Sequence, residues 1–128
     1  MLNRSGISKT TLTSTKQILA NVELQSSVGC IVPQSLGVAV GSKKIVKAGT
    51  PIKIDLMNRQ TAAVKADGTT AMNAVVLHDV DVTDGAANGT ALIFGFVNVN
   101  RVDTDVAAAI TTAAAAANAS KQITFMKA

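Results

Sequence analysis

The sequence predicts a mainly β domain with one helix, an α+β arrangement. Three observations lead there. Short β-favouring runs separated by turn residues begin near residue 22, two longer strand-like runs occupy Ala74 to Val82 and Thr90 to Val99, and an alanine-rich stretch follows an acidic cap near residues 104–117. With 128 residues, 48% of them hydrophobic and 16% charged, the chain has enough apolar material for one compact core and too little length for two full domains.

The short runs are Val28 to Val32, Val38 to Val40, Ile45 to Lys47 and Ile52 to Leu56. In the last, Ile52, Ile54 and Leu56 alternate with Lys53 and Asp55, as a half-buried strand requires. Pro33 and Pro51 stand at run edges, where a residue without a backbone donor is tolerated. Asp67-Gly68, a hairpin signal, separates Thr61 to Ala66 from the next β-rich run. In Ala74 to Val82, period two places Val76, His78, Val80 and Val82 on one face and Val75, Leu77, Asp79 and Asp81 on the other. In Thr90 to Val99, Leu92, Phe94 and Phe96 face one side, while Ile93, Gly95, Val97 and Val99 face the opposite one. Both sides are apolar, so this strand is expected at the centre of a sheet or along a subunit interface. Asp103-Thr104-Asp105 supplies a helix cap and a first-turn acid, and a helix from Val106 to Ala117 should dock through Val106, Ile110 and its alanine face. An alanine-rich linker is the other reading of that stretch. Lys121 to Lys127 reads as a closing strand.

Composition excludes several kinds of chemistry. Cys30 is the only cysteine and His78 the only histidine, so neither an internal disulfide nor a four-ligand Cys/His zinc site can form within one chain. No apolar stretch is long enough for a membrane-spanning helix, and the first residues lack the apolar core of an export signal, so the protein is expected to be soluble and not exported. Gly37-Val38-Ala39-Val40-Gly41-Ser42-Lys43 has the wrong spacing for a phosphate-binding loop. Asp79 and Asp81 could share a hard cation, but a calcium loop would need a glycine turn and a terminal Glu, so a solvated acidic strand end is preferred. His78, set among valines, is expected in the core or at an interface, and Cys30 as a buried inert thiol. No enzyme chemistry and no cofactor follow from these residues.

Charge is uneven. Residues 1–65 carry nine Lys/Arg against Glu23 and Asp55, whereas residues 66–128 carry three against six Asp. The basic half should meet something negative or the acidic half of a neighbouring copy. Its cations are scattered with no aromatic among them, which argues against direct nucleic-acid binding. Residues 1 to about 20 hold seven Ser/Thr and little apolar surface, yet Ile7 and Thr10 to Thr13 favour β-structure. They read either as an arm that becomes a strand on another sheet edge or as a frayed terminus.

Lys65-Ala66-Asp67-Gly68-Thr69-Thr70, the run Ala74 to Val82, Gly89-Thr90 leading into Leu92-Ile93-Phe94-Gly95-Phe96-Val97, the helix after it, and the ending Ile123-Thr124-Phe125-Met126 resemble tailed-phage head decoration proteins. The likeness is to small capsid-stabilising proteins and head-fibre bases of phages infecting Gram-positive bacteria, and more distantly to the lambda head decoration protein. It spans roughly residues 28–128. It implies a β-barrel-like or β-tulip-like domain over residues 21–128 with an extended capsid-binding arm over residues 1–20. It also implies a homotrimer on the outer surface of the virion capsid, present in the host cytoplasm before assembly, with the major capsid protein as partner and neither nucleic acid nor membrane.

On this reading Leu2, Arg4, Ile7, Lys9, Leu12 and Lys16 belong to the capsid-binding arm, and His78, Phe94, Phe96 and Val97 pack in the trimer or the core. The expected function is non-enzymatic: cementing the expanded head against internal DNA pressure. The alternative is a trimeric adaptor or head-fibre base that recruits another protein or a host-surface glycan. The alanine tract Ala107 to Ala117 departs from lambda-like relatives, which carry a more charged helix there.

Overall fold

The structure, a computed structural model, describes residues 17–20, 24–116 and 119–127. In chain order its strands are β1 (Ser26–Val32), β2 (Val38–Val40), β3 (Lys43–Val46), β4 (Pro51–Lys53), β5 (Val64–Lys65), β6 (Ala74–Val76), β7 (Val80–Asp81) and β8 (Ala87–Asn98), then helix α1 (Thr104–Ala114) and strand β9 (Ile123–Met126). The fold is mainly β with a single helix, as expected. One sheet runs β1-β8-β6-β4-β5, with β9 parallel to the second half of β8, and a smaller sheet runs β2-β3-β7. The larger sheet curls until Ile31 bridges Ala62 and the Ala63 amide donates to the Ile31 carbonyl at 2.9 Å, but it does not close into a barrel.

β8 is central and apolar on both sides. Ala91 joins one cluster with Cys30, Val32, Val46, Ile52, Ala74, Val76 and Val82, with Ile93 packed against it, whereas Leu92 joins a second with Val75, Leu77 and Val97. Strict alternation would separate Leu92 from Val97, yet both are fully buried in the same cluster. The register against β1 slips where Ser26 faces Phe94 and Ser27 faces Leu92, and Gly95 follows with φ +152°. That extra residue reverses which side each later side chain takes, and glycine adopts the required angle at no steric cost. The expected face Leu92, Phe94 and Phe96 is therefore corrected. Phe94 is 40% exposed, Phe96 is half-buried, and Val97 takes the core position.

The chain around residues 17–20 belongs to this second core. Ile18 and Leu19 are buried, Leu19 bridges Val97, the Asn98 amide donates to the Ile18 carbonyl at 2.8 Å, and the Ala20 amide donates to the Phe96 carbonyl at 2.9 Å. Ile18 and Leu19, expected at the end of the arm, are thus core residues. Ala113 of α1 and Ile123 of β9 cover the same face.

Three expected elements are interrupted, each by a polar side chain doing a backbone group's job. The run Ala74 to Val82 breaks between β6 and β7, where the Asp79 carboxylate accepts from the Ala48 amide at 2.7 Å and the chain passes from the larger sheet to the smaller. Val76, Val80 and Val82 still share one cluster, but His78 is exposed on the single chain, so of the two places expected for it, core or interface, it does not take the core. The run Ile52 to Leu56 stops after Lys53. Asn73 brackets Ile54, its amide oxygen accepting from the Ile54 amide at 2.9 Å and its nitrogen donating to the Ile54 carbonyl at 2.8 Å, while Asp55 starts a turn and leaves Leu56 half exposed. Asp67 Oδ1 accepts from the Thr69 and Thr70 amides at 2.8 Å each. This turn joins no hairpin, because β4 lies between β5 and β6.

The helix forms over Thr104–Ala114 and buries Val106, Ile110 and Ala113, the helical spacing expected of a docked face. Its approach rests on Gly49, which has φ +94° and where an added Cβ would lie 2.6 Å from Val102 Cγ1 and 3.1 Å from Val106 Cγ1. Gly49→Ala should destabilise the domain by about 2–4 kcal/mol through backbone strain and overpacking. Thermal unfolding followed by circular dichroism should show a midpoint lowered by about 10 °C or more.

Candidate functional site

An open recess lies beside β1. β1 ends the larger sheet, and from Ser26 to Cys30 it pairs with β8 alone among the described residues. Facing that edge is the loop 55–61, built from two nested side-chain turns. Asp55 Oδ1 accepts from the amides of Met57 and Asn58 at 2.9 and 3.2 Å, and Asn58 Oδ1 accepts from the Gln60 amide at 3.3 Å. Such turns satisfy the loop's own donors and fix it as a ridge. Leu56 and Met57 project from the ridge, 50% and 95% exposed.

Between ridge and strand lies an open cleft of about 700 Å³, with Gly29, Cys30, Ile31, Asn88 and Gly89 on one side and Leu56 to Gln60 on the other. Arg59 is the cation of this cleft and has no hydrogen bond or ion pair among the described residues. Cys30 is buried and free, and burial pushes its thiol pKa up, which suits an inert core thiol rather than a nucleophile. The arrangement offers unpaired backbone, an apolar ridge and a guanidinium. That is the equipment for holding an extended or turned polypeptide segment bearing a carboxylate.

A second surface lies at β2, whose three residues are all exposed, Val38 and Val40 at 41% and 48%. Beneath it a smaller pocket of about 190 Å³ is lined by Leu36, Val38, Ile45 and Val106 with Lys47 and Asp105. The Lys47 ammonium lies 3.2 Å from carboxylate oxygens of both Asp103 and Asp105, which hold its pKa above the ordinary lysine value. Asp103, expected to cap α1 through its side chain, makes no such cap; one of its oxygens meets Lys47 instead.

The expected arm residues Leu2, Arg4, Ile7, Lys9, Leu12 and Lys16 lie outside the described residues. Of the expected packing residues, Val97 is in the core, Phe96 is half-buried, and Phe94 and His78 are exposed on the single chain. The structure does not gather these into one site. The acidic run resolves into separate local contacts, Asp79 on the Ala48 amide and Asp81 on the hydroxyl and amide of Thr83 at 2.6 and 2.9 Å. Among the described residues no three His, Cys, Asp or Glu side chains form a group able to hold a metal. The loop 55–61 escaped the sequence reading because Asp55 and Leu56 fitted the end of a strand. The Asp55 and Asn58 spacing is the signal that could have found it.

Comparison of the chain with models of known protein families finds no match, and comparison with curated proteins finds none either.

Two exposed aspartates tie stability to pH. Asp67 is held below the usual carboxylate range by the amides of Thr70 and Thr69, and Asp81 by the hydroxyl and amide of Thr83. A carboxylate whose pKa falls on folding stabilises the fold at pH above its unfolded value and loses that contribution as pH drops through its folded value. Thermal midpoints should therefore fall as pH drops below about 4. An Asp67→Asn, Asp81→Asn double variant should show a shallower decline over the same window, and an unchanged acid profile would remove these two groups from the account.

Proposed function

We propose that the protein is a non-enzymatic decoration protein that binds the outer surface of an expanded tailed-phage head as a trimer, through the stretch ahead of Gln17. The observation that supports this reading is the anchoring of Ile18 and Leu19 on β8, directly after that stretch in the sequence. Residues 1–16 hold three cations, Arg4, Lys9 and Lys16, and no acid, and their β-favouring run Ile7 to Thr13 suits addition to a foreign sheet edge. The resemblance of the β-run pattern to head decoration proteins supports the same reading.

The mechanism is cementing by many modest contacts. Fixing a segment on a partner costs about 1–2 kcal/mol per residue in backbone entropy, which strand hydrogen bonds, Ile7 and Leu12 as apolar anchors, and the cations must offset. Several such segments held on one trimer bind far more tightly than one, because the first contact raises the effective concentration of the others. A protein that binds the expanded shell better than its precursor favours expansion by that difference in affinity.

Deleting residues 1–16, which stops short of the buried Ile18 and Leu19, should leave folding intact by circular dichroism and abolish co-sedimentation with expanded heads. Retained co-sedimentation would remove this stretch from the mechanism.

A further inference from the structure

We infer that the cleft between β1 and the loop 55–61 seats the turn Thr83-Asp84-Gly85-Ala86 of a second copy, with Asp84 on Arg59, as the contact that closes a ring of subunits. This rests on the reading that copies of the chain associate, and it names the surface that joins them. The edge of β1 at Ser26-Ser27-Val28-Gly29 carries neither charge nor proline, the usual protections of an exposed strand edge, and among the described residues no strand pairs with its outward side. Beside it Met57 is 95% exposed on a loop that its own hydrogen bonds hold in place, an apolar group that a partner could cover without reordering the ridge.

Charge selects the occupant. Arg59 calls for a carboxylate, which disfavours residues 1–16 of this chain, since they carry cations alone. Seven aspartates are described, and six already have partners: Asp55 and Asp67 on their turns, Asp79 on Ala48, Asp81 on Thr83, and Asp103 and Asp105 on Lys47. Asp84 is exposed and has none among the described residues. It sits at the turn between β7 and β8, closed by the Gly85 amide on the Val82 carbonyl at 3.2 Å, with Gly85 and Ala86 small enough to enter beside it. The cleft lining and the turn share no residue, so the contact joins unlike surfaces, and such contacts form rings when the rotation closes.

Sedimentation velocity of the full chain tests this. The unmodified protein should associate, and Arg59→Glu and Asp84→Arg should each raise the dissociation constant about tenfold or more with unchanged circular dichroism. Combining the two substitutions reverses the pair, and association should recover most of the loss. Met57→Asp should weaken association without rescue by Asp84→Arg. Unchanged association in Arg59→Glu, absence of rescue in the combined variant, or a monomeric unmodified chain at about 100 µM each overturns the inference. Co-sedimentation of the unmodified chain with expanded heads reports on the decoration reading separately, so failure of the ring contact and failure of that reading are told apart.

Discussion

A strand that is apolar on both faces cannot lie on a surface, and that requirement on β8 organises the molecule. Its Ala91 and Ile93 side needs one cover and its Leu92 and Val97 side another, each fully buried side chain of this size contributing roughly 1.5–3 kcal/mol. The first cover is the curl of the sheet itself, which brings Val32, Ile52, Val76 and Val82 together. The second is assembled from parts distant in sequence: Ile18 and Leu19 ahead of β1, Ala113 on α1, and Ala119 and Ile123 behind it. Ala113 and Ala119 in that second layer let helix and chain segments approach the sheet closely.

Because β8 must be covered along its whole length, its last residues recruit neighbours on both sides. β9 runs parallel from Gly95 to Asn98, and Leu19 bridges Val97 from the other direction. The segment before β1 is therefore held by hydrogen bonds to Phe96 and Asn98 as well as by burial. Ile18 and Leu19 are thus a fixed point on β8. A binding segment tied at such a point searches a smaller volume than one on a loose tether, which raises its effective concentration at a nearby partner.

β-favouring runs between turn signals were enough to find β1, β2, β8, β9 and the central place of β8, and the alanine-rich stretch behind Asp103-Thr104-Asp105 marked α1. Period-two alternation failed where a side chain replaced a backbone partner or where one residue was inserted. Asp79 on Ala48, Asn73 on Ile54 and Asp55 on its own loop each end a strand that alternation would have continued, and nothing in hydrophobic spacing records a carboxylate's choice of amide. The slip near Gly95 is of the other kind. A single extra residue exchanges the two faces, so Phe94 came out where Val97 went in. The cleft was illegible for the same reasons, since its ridge begins at the false strand end and its Arg59 resembled any scattered surface cation.

The two halves of the chain differ in charge, and folding does little to cancel the difference. Lys47 reaches across to Asp103 and Asp105, but Lys43, Lys44, Lys53, Arg59 and Lys65 make no direct ion pair among the described residues. Asp55, Asp67 and Asp81 bond amides of their own turns and Asp79 the Ala48 amide, contacts that fix backbone and neutralise no cation. Isolated surface pairs add little to stability, so a fold gains little by matching such charges internally. Their value lies outside the single chain, where unmatched groups of opposite sign orient an approaching surface and set which patches may meet.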